Sequence, residues 1–450
     1  MLPALFTLSM VIVTSTAAAH GPFPQTTRVT FHPSDPNTIL IQATFGMMIT
    51  HDGGNSWSWI CYEAVGFAFE EVLIAQPTST ILDDGSVVVA SRRGLSRGTP
   101  DACTFASPNE ALEKAFLVDL ERHPSDGASA FVVTANARTE NLVYGTADNG
   151  ATWAPTGDPI DAVLFESLSV APSDSTHMYL TATEPITAQN DTYRTLFYRT
   201  DDSGASWDRL EVTDPDTGSY LVLLATKPTD PNVAVMMDLN RLDYTARRLY
   251  RTTDGGDHWS RITDLEGKRI TSATWSTDGT ALWFGGSSGT GLWVSSNDGA
   301  TVSTVNADLE VYCMNFRDGE LWTCSNQFTD GFAVGRSSDG GETFTGVFNF
   351  NDIRGLVECD DDSQVESVCA VQFLDLIRDL NLDLDGGSAL SDAGLVDAGA
   401  DAGPKTAKDT AGCGCRTAGQ RPGGPWVPML SLGTVLGLAL RRRVARRRDR

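Results

Sequence analysis

The residues best suited to chemistry are carboxylates and arginines that stand just upstream of turn signals: Glu70, Glu71, Asp119, Glu166, Arg269, Glu310, Asp352 and Arg354. Two carboxyl groups about 5–10 Å apart can hydrolyse a glycosidic bond, one as acid and the other as base or nucleophile. Glu166 and Glu310 form the first candidate pair. A ring of polar residues is equally what a solvated channel mouth presents, so neither is assigned a catalytic role outright. Other chemistries lack their residue sets. His20, His32, His51, His123, His177 and His258 show no metal-ligand spacing, and no metal or cofactor is expected. No G-x-S-x-G elbow occurs, and no glycine-rich loop joins a strand to a helix around a phosphate. Asn381–Gly386 with Asp392 shares part of the spacing of an EF-hand loop. It departs from that loop at Asn381, Ser388 and Asp392, and a solvated linker is the reading.

The elements that must position these residues are announced by a repeat. Thr50–Trp57 reads THDGGNSW, and the pattern S/T-x-D-x-G-x-x-W/F returns at Thr146–Trp153, Thr200–Trp207, Thr252–Trp259 and Ser337–Phe344. The recurring positions are Asp52, Gly54 and Trp57; Asp148, Gly150 and Trp153; Asp202, Gly204 and Trp207; Asp254, Gly256 and Trp259; and Asp339, Gly341 and Phe344. Ser295–Val302 is a worn copy with Asn297 for the Asp. A more worn copy ends at Phe105, with Pro100 at the Asp position. The Asp-equivalent positions 52, 100, 148, 202, 254, 297 and 339 differ by 48, 48, 54, 52, 43 and 42 residues. A four-stranded propeller blade takes ~40–50 residues. Upstream of the octapeptides, turns such as His32–Asn37, His123–Asp126 and Pro228–Asn232 precede apolar runs in the same phase. The fold class expected is therefore all-β, a seven-bladed β-propeller of four-stranded blades over residues 20–378. Within the repeat, Asp accepts turn N–H groups, Gly supplies positive φ and the aromatic packs between sheets, a folding device that needs no substrate.

The octapeptides resemble the Asp-box, or BNR repeat, of sialidases, xyloglucan-active hydrolases, sortilin-type receptor ectodomains and a photosystem assembly factor. The resemblance covers about residues 26–375 and implies a propeller without fixing a function, since its members include enzymes and binding proteins. The Arg-Ile-Pro of sialidases is absent, Thr26–Thr30 contain only Arg28, and sialidases have six blades against the seven counted here.

Both termini read as addresses. Leu2–Val13 is mostly apolar and leads to Ala17-Ala18-Ala19, a signal peptide over residues 1–19 cleaved after Ala19. Residues 379–412 form a disordered Asp/Ala/Gly-rich linker. In residues 413–450, Cys413-Gly414-Cys415 precedes the uncharged Gly423–Leu440 and a run of arginines. Those 18 residues make a short apolar helix of about 27 Å at ~1.5 Å per residue, close to a bilayer core. Pro425 and Pro428 favour transient membrane retention over permanent spanning. The tail is similar to the MYXO-CTERM sorting signals of myxobacterial surface proteins. That likeness implies a sorting protease acting near Cys413 and Cys415, and delivery to the cell surface.

Export makes disulfides the expected state of Cys61, Cys103, Cys313, Cys324, Cys359 and Cys369. Proximity in sequence favours Cys313–Cys324, Cys359–Cys369 and Cys61–Cys103 among 15 connectivities. The net charge is −25; the last ten residues contribute +6, leaving −31 on the rest. So acidic a body repels phosphate backbones and excludes nucleic acid as a partner. The function expected is a non-enzymatic surface module binding a glycan or a protein. A secreted glycoside hydrolase acting on extracellular polysaccharide is the alternative, and an assembly or scaffold factor the third. Paired carboxylates in a concave channel would favour the enzyme.

Overall fold

A computed structural model describes residues 24–382, apart from 69–75, 137–139, 161–162, 186–192, 213–218 and 241–245. Ala19, Glu70, Glu71, Cys413, Cys415, the apolar helix and nearly all of the linker lie outside the described residues.

Short runs of β-branched and aromatic residues bounded by turn residues give antiparallel strands, and four successive strands make each blade. Blade 1 comprises Thr26–Phe31, Ile39–Ala43, Gly46–Thr50 and Trp57–Ile60. Its two middle strands are buried on both faces, which is why Ile39–Ile41 and Met47–Ile49 lack the polar alternation of a half-exposed strand. Six further four-stranded sheets follow in chain order, giving the seven blades expected. The inner strands of blades 2 to 7 are Thr78–Ile81, Leu117–Arg122, Leu164–Val170, Ser219–Thr226, Ile270–Trp275 and Cys313–Arg317. The outermost strands of blades 2, 3 and 5 shrink to two residues each, leaving little exposed sheet edge.

The octapeptides join the third and fourth strands. In the first, Thr50 Oγ1 donates to Asp52 Oδ1 at 2.7 Å, and Asp52 Oδ1 accepts the N–H groups of Asn55 and Ser56 at 2.9 and 3.0 Å. Gly54 N donates to Thr50 Oγ1 at 3.1 Å. Three of these bonds, all but that of the Asn55 N–H, recur around Asp148, Asp202, Asp254 and Asp339. Asn297 reproduces them through its amide oxygen. The two residues after the Asp both take positive φ, as in Asn149 (56°) and Gly150 (74°). At Gly256 a side chain is excluded twice over, because a Cβ would lie 2.3 Å from Phe197 Cε1 of the preceding blade. The carbonyls of Asn149, Gly255 and Gly340, one residue past the Asp, accept from Arg97, Arg199 and Trp283 of the preceding blade. Each turn is thus also a joint between blades.

The most worn copy is corrected by one residue. Asp101, not Pro100, takes the Asp role: Thr99 Oγ1 donates to it, it accepts Cys103 N at 3.1 Å, and Ala102 has φ 57°. The turn is one residue shorter than the others, which displaced the alignment anchored on Phe105.

The ring closes in a way the repeat did not announce. After blade 7, Ile353–Leu356 adds to the outer edge of blade 1, parallel to Trp57–Ile60. A 17-residue helix follows, Gln364–Leu380, capped by Ser363 Oγ accepting Glu366 N and ended by Asn381 at φ 51°. Its Phe373 packs on Trp59 with ring centroids 5.9 Å apart. Cys369 pairs with Cys61 and Cys359 with Cys103, Cα–Cα 5.5 and 5.6 Å. These pairings overturn Cys61–Cys103 and Cys359–Cys369. The C-terminal segment crosses from blade 7 back over blades 1 and 2, so sequence neighbours face different partners. Cys313–Cys324 forms as expected, its halves directly opposite across a hairpin. No helix among the described residues is long and apolar enough to cross a membrane.

Candidate functional site at the channel mouth

The inner strands surround a central channel, and two cavities open along it. The larger, about 490 Å³, runs between the inner strands of blades 1, 2, 3, 5, 6 and 7. Its walls carry the hydroxyls of Thr27, Thr30, Thr80, Thr271, Ser272 and Thr274, with Arg28, Asp119, Glu121 and Arg122 as the charged groups. The second, about 380 Å³, sits where the inner strands of blades 3, 4 and 5 begin. Phe116, Val118, Leu164, Phe165, Val222 and Leu239 give it mainly apolar walls, against which Arg92, Asn136, Glu166 and Tyr220 stand.

One local irregularity aims the mouth residues. The ladder of blade 4 pairs Phe165 with Ala182 and Ser167 with Thr181, so Glu166 is an extra residue in a bulge. Blade 3 has the same offset at Val118, blade 1 at Thr27 and blade 6 at Thr271. A bulge turns its side chain out of the strand's alternation. Glu166 and Val118 both line the mouth cavity from such positions. Glu166 Oε1 accepts from Thr183 Oγ1 at 2.7 Å. The Arg92 guanidinium lies over the Phe116 ring, 5.2 Å from its centroid.

Deeper in, Asp119 is a joint between blades. Its two oxygens accept Leu120 N and, from blade 4, Leu168 N, each at 2.9 Å. Ser167 and Ser272 do the same for Leu223 N and Met314 N of their following blades. Burial raises the Asp119 pKa against the pull of these bonds and of Arg28. Two residues on, Glu121 is pushed up to about 8, by burial first and by the Asp119 charge second, with Arg28 and Arg122 opposing. Arg122 donates to the Phe31 and Ile81 carbonyls at 2.8 and 3.0 Å, tying blade 3 to blades 1 and 2.

The sequence candidates therefore scatter. Glu166 lines the mouth cavity, and Glu310 does not. Glu310 accepts Ser288 N and Gly289 N at 2.8 and 3.1 Å, and Arg269 reaches Ser288 Oγ, so both hold one turn of blade 6. Asp352 accepts Asn349 N at 2.7 Å in a cap, and Arg354 is exposed on the closing strand. The carboxyl that shares the channel with Asp119 is Glu121, and the cation at the mouth is Arg92; sequence reading named neither. The Glu166 bulge had a visible signal: buried apolar positions fall at 163 and 165, then at 168 and 170, a change of phase at 166. Among the described residues, no cluster of three His, Cys, Asp or Glu could hold a metal ion.

Comparison with known proteins bears on the scaffold. The Sortilin-Vps10 family model ("Sortilin, neurotensin receptor 3") matches residues 141–280, less than half of the chain. No curated protein matches. Among solved structures, YCF48 from Cyanidioschyzon merolae is 14% identical, with 67% of this chain and 92% of that one covered and a TM-score of 0.45. Kuenenia stuttgartiensis hydrazine synthase is 11% identical over 73% of this chain and 99% of that one, TM-score 0.46. The GH74 enzyme of Niastella koreensis is 10% identical over 71% of each chain, TM-score 0.29. At these scores nothing about ligand or chemistry is carried over.

Proposed function

We propose that this chain is an exported, cell-surface binding module that captures a protein ligand at the channel mouth. The observation that carries the reading is the 380 Å³ cavity, with mainly apolar walls and a few polar groups in Arg92, Asn136 and Glu166. Such a cavity suits one apolar side chain of a protein partner, oriented by a small number of polar contacts. A sugar would ask for a denser set of hydrogen-bonding groups, so the glycan option ranks second. The octapeptide turns belong, on this reading, to the Asp-box class and act as scaffold. Three disulfides fit an oxidising exterior. The signal peptide and the C-terminal sorting tail supply export and attachment. Binding of peptide-library members to the folded protein tests the proposal, with Arg92→Ala and Glu166→Gln as the discriminating variants. Peptides held equally well by both variants would refute it.

One observation favours a glycoside hydrolase as second reading. Asp119 and Glu121 occupy alternate positions of one strand in a polar channel, and Glu121 holds its proton at neutrality, as a general acid must. Turnover of chromogenic glycosides that disappears in Glu121→Gln would establish it. Silence across the panel, with the mouth variants abolishing peptide binding, leaves the binding module.

A further inference from the structure

Six of the seven seams between blades are crossed by the chain itself. The seventh, between blades 7 and 1, is crossed only by the segment that leaves blade 7 and docks on blade 1, since the four strands of each blade are otherwise consecutive. Side chains do meet across it: Thr26 Oγ1 donates to the Ala333 carbonyl at 2.8 Å, and Trp57 packs on Phe348 with centroids 5.0 Å apart. Asn315 Nδ2 and Arg317 also donate to the Val29 and Asp35 carbonyls, each at 3.3 Å, and Trp322 packs on Phe31. Over these side-chain contacts, the seam is strapped by residues 353–382. The strap adds its strand to blade 1, and it reaches blade 2 through Val365 N to the Cys103 carbonyl at 3.1 Å and Phe105 N to Gln364 Oε1 at 2.6 Å. Both long-range disulfides fasten this strap, closing separations of 308 and 256 residues.

The two bonds differ in access. Cys61 and Cys369 are wholly buried, and Cys61 N points at Cys369 Sγ from 3.2 Å. Cys359 is half-buried in the loop ahead of the helix. Cys103 is buried, so Cys359 is the half of its bond that offers access to a thiolate while the helix stays docked, whereas both halves of Cys61–Cys369 are shielded.

We infer that residues 353–382 form a redox-operated latch on the ring, released by a dithiol in a fixed order, Cys103–Cys359 first and Cys61–Cys369 second. A thiolate of the dithiol attacks Cys359 Sγ, and Cys103 departs as a thiolate that takes up a proton. The second thiol of the reductant resolves the mixed disulfide and frees Cys359. The dithiol ends as its own disulfide, having delivered two electrons and two protons, and the same exchange then opens Cys61–Cys369. Release uncovers the outer edge of blade 1 and leaves the blade 7–blade 1 seam held by side chains alone. The latch is open in a reducing compartment and closed in an oxidising one, whatever ligand the mouth takes.

The test treats the full oxidised chain with dithiothreitol under native conditions, and follows thiol alkylation and amide hydrogen exchange together by mass spectrometry. Cys103 and Cys359 are expected to label before Cys61 and Cys369. Exchange in 353–382 and Trp57–Ile60 is expected to rise at least about tenfold after the second pair opens, with blades 3 to 6 unchanged. The variant C103S/C359S should stay latched without dithiol and open in a single step with it. Labelling of Cys61 and Cys369 first would overturn the order. Full alkylation without faster exchange in 353–382, or equal acceleration around the whole ring, would overturn the latch.

Discussion

Aspartates and glutamates in two parts of this molecule meet opposite fates. At the rim, Asp148 gathers the hydroxyls of Thr146 and Thr152 and the Thr152 N–H of its own turn, and these bonds, that of the Thr152 hydroxyl foremost, hold its pKa below the ordinary value. Asp202 falls to about 2 for the same reason, led by Ser206. In the channel, Glu121 is half-buried with Asp119 as neighbour, and its pKa rises to about 8, desolvation first and the Asp119 charge second. The rim satisfies charge by local geometry before the blade is assembled. The channel creates its electrostatics only when inner strands from several blades converge. Rim carboxylates are therefore legible in an octapeptide, whereas those of the channel depend on the ring.

The largest effect that sharpens this contrast lies in the rim aromatics. Trp153 is buried among residues of blades 2 and 3 and donates Nε1–H to the Gly150 carbonyl at 3.0 Å. Trp153→Ala should cost about 3–5 kcal/mol, measured by urea unfolding, and a loss under 1 kcal/mol would mean the turns do not organise the blades. Asp148→Ala should cost less, about 1–3 kcal/mol. Asp148→Asn should recover most of that, because Asn297 already makes the same bonds. If Asn proves as damaging as Ala, the charge rather than the geometry matters at the rim.

The channel predicts a pH effect of the opposite sign. Glu121 binds its proton more tightly folded than unfolded, so its contribution is fully present below about pH 4.5 and is lost as pH rises through about 8. The rim aspartates behave conversely: their contribution is present above about pH 4 and fades as the solution is acidified. Thermal stability should therefore decline from pH 5 to 8, and Glu121→Gln should flatten that decline while leaving the acid limb in place. An unchanged slope in the variant would show that the channel does not raise the Glu121 pKa. The smallest stability effect belongs to Glu166→Gln at the mouth, where the bulge holds the side chain outside the strand's alternation. Its melting temperature should stay within a degree or two of the parent, and ligand binding should report the change instead.

Sequence carried the scaffold because blade number and phase depend on contacts close along the chain. The octapeptide bonds all lie within a few residues, and Asn297 could be identified as a stand-in from its neighbours alone. Even there, Pro100 displaced Asp101, since a turn shortened by one residue defeats an alignment pinned to its aromatic. The closing segment was not legible: nothing in Ile353–Leu380 states which edge it joins, and the disulfide pairing follows from that docking rather than from spacing. The mouth was half legible. Glu166 was singled out by its place near the start of an inner strand. Arg92 arrives from a turn of blade 2 and Tyr220 from blade 5, and only the closed ring brings them to the same cavity.

The central claim is that the mouth binds and the rim supports. The most direct test is a selection of surface-displayed peptides against the purified folded chain, repeated with Glu166→Gln, Arg92→Ala and Asp52→Ala. The account predicts enriched peptides sharing one apolar anchor, lost in both mouth variants, and held with unchanged affinity per folded molecule by Asp52→Ala. Peptides that survive both mouth changes yet disappear with a fully folded Asp52→Ala protein would place the binding surface at the rim and contradict it.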